Sequence, residues 1–385
     1  MFVPETPCFP FLTLFTIRNQ AANVDMLRRL FHAPVFIVFS KGRDAIDYGM
    51  GALNVMEDSR VWLPAYLCSS VFMPVHRRCP QVLFYDVDQR LVPRLNEMSV
   101  RKNDVFLMVH YFGLAQPVEM IKKYCTENGM FLFEDCAHSL PDLSSSVRVG
   151  SYGDLSVFSL RKQLCVPDGA VLEVNNPNIV VDTRRAKVSP VFALSKRKMI
   201  QMGLEALAFK SGVNILMLKK LLKDKMLPGI PLPEEQMHEV EKESRISSIT
   251  LRVLETADIS AIIEKRKKNF DVLVSLLNHL KGVSVPFKTL TPGSVPKVFP
   301  VFVEYRDAVC KYLWSQGVEA TLWPGVEQLR EADWKQFPGA REWVSKSLFL
   351  PVHENLSQNH LEAITKALSK GLKKISLKAE GASVS

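Results

Sequence analysis

Seven short apolar runs in the first half of the chain constrain its fold more than any other feature. Most are too continuously apolar to face water on one side, which favours strands of a sheet covered on both faces. The runs are "VFIVFS" (35–40), "RVWLP" (60–64), "QVLFYDV" (81–87), "DVFLMVHYF" (104–112), "MFLFED" (130–135), "LSVFSL" (155–160) and "AVLEV" (170–174). Residues 43–56 and 117–128 have helical spacing, and Gly129 is a typical end for the second helix. Strands alternating with helices over short links predict a doubly wound α/β domain, in which ligands bind beyond the carboxyl ends of the strands.

The rest of the chain predicts a different organisation. Residues 185–240 read as helical, apolar and basic, which fits a membrane-surface or partner-binding helix pair or, more commonly, a packed helical excursion with solvated lysines. A long helix, a strand at 298–305 and a helix at 306–316 follow. A last helix has apolar residues on one face, at positions 361, 364, 368, 372 and 375. We therefore expect a large α/β domain over residues 1–250 and a small α+β domain over residues 251–385.

Composition excludes several classes of protein. Of the 385 residues, 47% are apolar and 23% charged, which excludes wholesale disorder. No apolar run reaches the roughly 18 residues that a membrane span needs. Seven scattered cysteines without a C-x-x-C pair indicate the reduced thiols of a cytoplasmic protein and no metal site. The net charge of +9 suits an anionic small molecule, and nucleic-acid binding is disfavoured because basic residues are not interleaved with aromatic ones.

One acidic and one basic residue follow neighbouring predicted strands. Asp135 ends an otherwise apolar strand, where a carboxylate is costly to bury unless a cation pairs with it. Lys162 follows the next strand, which places it at the same edge of a doubly wound sheet. Taken alone, these two residues are interpreted equally well as a structural ion pair.

Three features favour a ligand between the acid and the amine. Gly42 and Arg43 lie at a turn that opens a helix, where backbone N–H groups and a guanidinium bind phosphate well. Ser159 ends a strand at the same edge, and His138 follows the acid by three residues. An ordinary helix N-cap and a satisfied core histidine are the plainer alternatives. Together the residues match the needs of pyridoxal phosphate: a carboxylate for the pyridine nitrogen, a lysine for the Schiff base and a helix N-terminus for the phosphate.

Several motifs, by their order and spacing, resemble the DegT/DnrJ/EryC/StrS sugar aminotransferases, a family of fold-type I pyridoxal phosphate enzymes. They are "FSKGRDAI" (39–46), "LPAYLCSSVFMPV" (63–75), "VHYFG" (109–113), "FEDCAHS" (133–139), "GDLSVFSLRKQL" (153–164), "LWPG" (322–325) and "LFLPVHENL" (348–356). The resemblance runs from about Val35 to the last helix. It implies a mixed seven-stranded sheet in the large domain, pyridoxal 5′-phosphate as the cofactor, and a homodimer with the active site at the subunit interface.

The resemblance also assigns roles to residues. Lys162 matches the Schiff-base lysine, Asp135 the partner of the pyridinium nitrogen, and His138 the residue beside the ring hydroxyl. The phosphate site matches Ser159 and the backbone of Gly42, Arg43 and Asp44. The position over the cofactor ring falls on Tyr66 or Cys68. The candidate substrate-pocket residues are His110, Tyr111, Trp323 and His353.

The chain departs from the family pattern at several places. The gap between Ser159 and Lys162 is two residues shorter than in the commoner form of the motif. Glu243 falls near the position of an asparagine that reaches the phosphate across the dimer, and a carboxylate there would repel a phosphate. Cys68 replaces an aromatic residue if it is the position over the ring.

Three functions are consistent with these residues. The first is an aminotransferase that moves an amino group from glutamate to a keto group of a nucleotide-activated sugar. The second is a sugar dehydratase on the same fold, but those relatives carry a histidine in place of the lysine, so Lys162 argues against it. The third is a regulatory or scaffold protein without turnover, which Cys68, Glu243 and the shortened lysine loop would support.

Overall fold

The structure is a computed structural model that describes residues 2–4, 24–79, 81–185, 188–189, 196–214, 245–323 and 333–382. Glu243 and the larger part of the predicted excursion at 185–240 lie outside these residues, as does the segment that follows Trp323. Among the helices that the structure describes, none has the length and apolar character needed to cross a membrane.

All seven apolar runs form strands of one sheet, as predicted. In chain order they are β1 (Val35–Phe39), β2 (Val61–Pro64), β3 (Val82–Tyr85), β4 (Val105–Val109), β5 (Phe131–Cys136), β6 (Leu155–Ser159) and β7 (Ala170–Val174). The sheet order is β1-β7-β6-β5-β4-β2-β3. Strands β2 to β6 are parallel to one another, and β7 is antiparallel to both β1 and β6. This mixed seven-stranded α/β sheet confirms the predicted fold class.

Helices α1 (Gly42–Ala52), α2 (Ser69–Arg78) and α3 (Val118–Glu127) follow β1, β2 and β4. The first and third were predicted, whereas α2, which contains Pro74, was not. Helix α1 approaches the sheet closely, because a Cβ atom at Gly49 would lie only 2.7 Å from the ring of Phe133. A side chain at position 49 would therefore force the helix away from the sheet.

Short elements connect the sheet to the C-terminal part. They are helix α5 (Lys196–Ser211), the paired strands β8 (Val188–Ser189) and β9 (Ile246–Ser247), and helix α6 (Ser248–Thr256), whereas the single helical turn α4 (Leu160–Gln163) lies between β6 and β7. Helix α6 runs across the boundary expected between residues 250 and 251, and the division into two domains stays a prediction.

The C-terminal part is built on a three-stranded antiparallel sheet with the order β10-β11-β12. Its strands are β10 (Val283–Ser284), β11 (Val298–Val303) and β12 (Ser347–Pro351), and its helices are α7 (Ile259–Leu277), α8 (Arg306–Ser315), α9 (Pro338–Lys346) and α10 (Gln358–Ala382). The predicted long helix, strand and last helix are α7, β11 and α10, and Leu361, Ile364 and Leu368 of α10 are buried as expected. Strand β12 and helix α9 were not predicted.

Asp86, the residue after β3, contacts helix α9 of the C-terminal part. Its buried carboxylate accepts hydrogen bonds from the backbone N–H groups of Gly339 (3.0 Å) and Ala340 (2.8 Å) in the first turn of α9. Negative charge is favourable at a helix N-terminus. A Cβ atom at Gly339 would lie 1.7 Å from the carbonyl oxygen of Val87, so only glycine allows this approach.

Candidate active site

Asp135 and Lys162 lie at the same edge of the large sheet, as predicted. Asp135 is the fifth residue of β5 and pairs with Val157 of the neighbouring strand β6. Lys162 lies in α4, the single turn that follows β6. The parallel arrangement of β5 and β6 therefore brings the acid and the amine to the carboxyl ends of adjacent strands.

Asp135 is a buried carboxylate with little support from hydrogen bonds. Its Oδ1 accepts the backbone N–H of Ala137 at 2.9 Å, and among the described residues no hydrogen bond reaches Oδ2. Burial raises the pKa of Asp135, while Lys162, the Ala137 N–H and His110 lower it. A cationic N–H group placed against this carboxylate would favour its ionised form.

His138 contacts the lysine. Its Nε2 lies 3.3 Å from Nζ of Lys162, and its Nδ1 accepts the backbone N–H of Phe112 at 3.3 Å. Burial lowers the pKa of His138 well below its usual value, and the charges of Lys162 and Lys297 lower it further. A neutral ring with Nδ1 as acceptor carries its proton on Nε2. Nζ of Lys162 thus lies at hydrogen-bond distance from the protonated ring nitrogen of His138.

The turn beneath His138 has an unusual backbone conformation. Phe112 has φ 59° and Gly113 has φ 81°. Left-handed φ is uncommon for residues other than glycine and is often found where a fold positions functional groups. A Cβ atom at Gly113 would lie 1.9 Å from the carbonyl oxygen of Val295 and 2.7 Å from that of His138, so glycine is required here.

The N-terminus of α1 lies beside the end of β6. An ideal Cβ atom at Gly42 would be 3.9 Å from Cβ of Ser159, so the two predicted phosphate residues are neighbours. The Asp44 backbone N–H donates to the Lys41 carbonyl oxygen at 3.2 Å, within the helical turn. The assignment of the Asp44 N–H to the phosphate stays a prediction.

Two guanidinium groups carry positive charge near this helix terminus. Arg161 exposes a large part of its side chain, yet the protein atoms around its guanidinium desolvate it and lower its pKa, and repulsion by Arg43 adds to that shift. Arg43 was predicted from the sequence and Arg161 was not. Both charges, together with the helix N-terminus, favour an anion at this place.

Gln163 and Arg266 support the lysine turn and were both missed by the sequence analysis. The Gln163 side-chain amide donates to the carbonyl oxygen of His138, and the Arg266 guanidinium donates to Oε1 and to the backbone oxygen of Gln163. Arg266 also donates from Nε to Glu354 at 2.7 Å. A sequence separation of 103 residues between Arg266 and Gln163 leaves no local signal that could have revealed this contact.

His110, predicted as a substrate residue, is instead part of a buried structural network. Its Nδ1 accepts the backbone N–H of Gln116 at 3.1 Å, and its Nε2 lies 2.8 Å from Oε2 of Glu134. Glu134 also accepts backbone N–H groups of Gly150, Tyr152 and Gly153. Both ring nitrogens of His110 thus have partners within the protein, and the assignment of His110 to the substrate pocket stays a prediction. Cys136 lies near this pair, but the same hydrogen bonds occupy the groups that would bind a metal ion.

The predicted aromatic residues separate into two groups. Tyr66 and Tyr111 are buried and stacked with their ring centroids 5.5 Å apart, and their hydroxyl groups bond to Ser347 and to the Tyr66 carbonyl oxygen. Both rings are buried, and the assignments of Tyr66 to the cofactor and Tyr111 to the substrate stay predictions. Trp323 lies edge-on to His138 with centroids 4.6 Å apart, so the structure brings it to the site.

Cys68 is the more accessible of the two candidates for the position over the cofactor ring. It is half-buried at the N-terminus of α2, and its Sγ lies 3.0 Å from Oγ of Ser70. A thiol there offers a soft apolar contact but no aromatic stacking.

His353 lies under the N-terminal segment and is not brought to the site. Its ring is 0% exposed, and its Nε2 donates to the carbonyl oxygen of Pro4 at 3.0 Å. Burial lowers the pKa of His353 to about 3, with repulsion by Arg266 in the same direction. In this structure His353 holds residues 2–4 through Pro4, and its assignment to the substrate pocket stays a prediction.

The remaining residues fit pyridoxal 5′-phosphate. Asp135 offers a buried, weakly bonded carboxylate to a ring N–H, and Lys162 offers a primary amine at the same sheet edge. The α1 terminus offers Gly42 beside Ser159 to a phosphate. This donor set is what the cofactor requires.

Comparisons with known proteins agree with this geometry. A model of the DegT/DnrJ/EryC1/StrS aminotransferase family matches residues 24–217. The chain is 23% identical over 369 residues to dTDP-4-dehydro-2,3,6-trideoxy-D-glucose 4-aminotransferase of Saccharopolyspora spinosa, covering 92% of this chain and 89% of the relative. It is 26% identical over 157 residues to GDP-perosamine synthase of Vibrio cholerae, covering 37% of this chain and 40% of that one.

Solved structures share the fold. The putative sugar aminotransferase Spr1654 from Streptococcus pneumoniae, in its PMP-form, superposes with a TM-score of 0.72 at 14% identity, over 99% of this chain and 100% of that one. Helicobacter pylori PseC, an aminotransferase involved in the biosynthesis of pseudoaminic acid, gives 0.67 at 14% identity, over 97% and 99%. With the family model matching half of its length, the chain belongs to the DegT/DnrJ/EryC1/StrS aminotransferase family.

Proposed function

We propose that this protein is a pyridoxal 5′-phosphate-dependent aminotransferase that transfers the amino group of an amino acid, glutamate in our proposal, to a keto group of a nucleotide-activated sugar. The observation that carries the proposal is the contact of 3.3 Å between Nζ of Lys162 and Nε2 of His138, at the sheet edge that also holds Asp135. The names of relatives that act on dTDP-sugars support the substrate class.

When bound, the cofactor would supply an aldehyde that accepts amino groups and a ring that takes up electrons from the substrate carbon. Lys162 holds it through Nζ and, once released, moves the substrate proton at that same atom. Asp135 holds the positive charge of the ring nitrogen. Because burial raises the pKa of this carboxyl, the cationic partner is what keeps it ionised.

His138 orients the lysine. Its Nε2 lies 3.3 Å from Nζ of Lys162, and the backbone N–H of Phe112 fixes the ring through Nδ1. Because its pKa lies well below the usual value, His138 stays neutral at physiological pH and does not protonate the amine. Trp323 covers one edge of this histidine and excludes water from it.

The phosphate of the cofactor is assigned to the N-terminus of α1, with Gly42, Ser159 and the charge of Arg43. We further propose that the protein works in the cytoplasm as a homodimer with the active site at the subunit interface, as the family resemblance implies. The presence of a lysine at position 162 favours transamination over the dehydratase alternative, because the dehydratase relatives carry a histidine there.

The test is a screen of keto-sugar nucleotides with glutamate and pyridoxal 5′-phosphate, scored by release of 2-oxoglutarate. We expect release with at least one sugar and none from the Lys162→Ala variant. A wild-type protein that binds the cofactor yet transfers no amino group to any keto sugar would contradict the substrate class. A protein that binds no cofactor would support the scaffold alternative.

A further inference from the structure

Helix α7 lies against the two segments that carry the lysine and the histidine. Arg266 contacts the lysine turn α4 through Gln163, and the next residue, Lys267, donates to the carboxylate of Asp142 in the segment after β5. Two adjacent cations of one helix thus hold the segments on either side of the contact between Lys162 and His138.

The orientation of the Gln163 amide follows from the chemistry of arginine. A guanidinium has only donors, so the atom of Gln163 that faces it must be the amide oxygen. The amide nitrogen is then directed to the other side, where it donates to the carbonyl oxygen of His138. Gln163 is 0% exposed and Arg266 is 1% exposed, so water does not offer replacement partners.

An ion pair alone does not explain this arrangement. Arg266 meets its counter-charge, Glu354, through Nε, and both of its remaining nitrogen groups donate to Gln163. Helix α4 has only four residues. The Leu164 backbone N–H donates a hydrogen bond to the Leu160 carbonyl oxygen at its end. A turn this short depends on outside contacts to hold its side chains in place.

We propose that Arg266 is a positioning residue that acts through Gln163 to set the approach of the Lys162 amine to the His138 ring. Gln163 directly follows Lys162 in the chain and donates to the backbone oxygen of His138, so it links the backbones that carry the two side chains. This inference rests on the proposed function for its consequence, which is rapid covalent capture of the cofactor aldehyde by Lys162.

The main test variant is Gln163→Glu. A carboxylate keeps an acceptor for Arg266 but cannot donate to the His138 carbonyl oxygen, so it breaks one side of the connection only. Arg266→Lys retains the charge but not the fork of donors, and Glu264→Gln, an exposed change on α7, is the matched control. Urea unfolding of each variant shows whether it is folded.

Two readouts are measured on the full-length protein without cofactor. The first is the rate at which added pyridoxal 5′-phosphate gives the visible absorbance of the lysine-bound form. We expect Gln163→Glu to slow this capture about tenfold and Arg266→Lys to slow it less, because small misplacements of a reacting group lower its rate of reaction.

The second readout is trace labelling by acetic anhydride, in which the half-buried Lys162 is compared with the exposed Lys268 by mass spectrometry. In Gln163→Glu, labelling of Lys162 should rise toward that of Lys268.

The outcomes separate the two proposals. Folded Gln163→Glu protein with wild-type capture and wild-type labelling would overturn the positioning role. Wild-type protein that captures no cofactor would contradict the proposed function, and the labelling ratio would then decide the positioning role without the cofactor. Equal effects in Glu264→Gln would show that any change in α7 alters the site, which also overturns the assignment to Arg266.

Discussion

Replacement of His353 by glutamine tests how residues 2–4 are held in the fold. The imidazole is fully buried and donates from Nε2 to the Pro4 oxygen, and within the described residues its Nδ1 has no partner. Its pKa of about 3 in the folded protein lies below the ordinary value of 6.5. Between these two values the unfolded chain binds a proton that the folded chain does not, so the free energy of unfolding falls as the pH falls.

The magnitude follows from linkage. On going from pH 7 to pH 5, protonation of this histidine in the unfolded chain lowers the free energy of unfolding by about 2 kcal/mol. Because pH 5 still lies above the folded pKa of His353, the loss is set by the ordinary value of an unfolded histidine. A glutamine at this position can still donate to Pro4 but does not titrate.

The assay is urea unfolding of wild type and His353→Gln at pH 7 and pH 5, followed by tryptophan fluorescence. We expect the decrease between the two pH values to be smaller in the variant by about 2 kcal/mol. Other buried groups, including His138, contribute equally to both proteins and cancel. The same decrease in both proteins would refute the argument that His353 is buried in a neutral form.

Three further changes test separate parts of the structure. Gly113→Ala would place a methyl group 1.9 Å from the Val295 oxygen at φ +81°, and we expect at least about 3 kcal/mol loss in the free energy of unfolding by urea titration, or no soluble protein. Asp86→Ala removes the carboxylate that caps α9 and should cost about 1–2 kcal/mol in the same assay, with Asp86→Asn recovering part of it. Asp135→Asn keeps the shape of the site but not the charge, so it should retain cofactor capture by Lys162 while transamination falls by about a hundredfold or more in a 2-oxoglutarate assay. Wild-type turnover in Asp135→Asn would exclude the carboxylate from the chemistry.

The large sheet was predictable because its signal is local. Each strand is a short apolar run, and the run at 105–109 is buried at every position. Such runs predict strands from local sequence alone, and strands that alternate with helices predict most of the sheet topology. Strand β12 and helix α9 were missed because they lie in a segment of mixed composition that the fold orders through distant contacts such as the bond between Asp86 and Gly339. Helix α2 was hidden by its internal proline.

The candidate site was predictable only where residues end strands. Asp135 and Lys162 could be placed at one edge because parallel strands bring their carboxyl ends together. His110 and His353 could not be assigned in this way, since the partners that occupy them, Glu134 and Pro4, are determined by packing. Arg266 carried no signal at all, because its contact with the lysine turn exists only in the folded chain.

The most direct test of the account is to find where pyridoxal 5′-phosphate becomes attached. The full-length protein is mixed with the cofactor, reduced with sodium borohydride, digested and analysed by peptide mass spectrometry. If Lys162 binds the cofactor covalently, we expect one modified peptide, which contains Lys162, and no modification in folded Lys162→Ala protein. Attachment at another lysine, or none in the wild-type protein, would contradict the claim that the carboxyl ends of β5 and β6 form the catalytic centre.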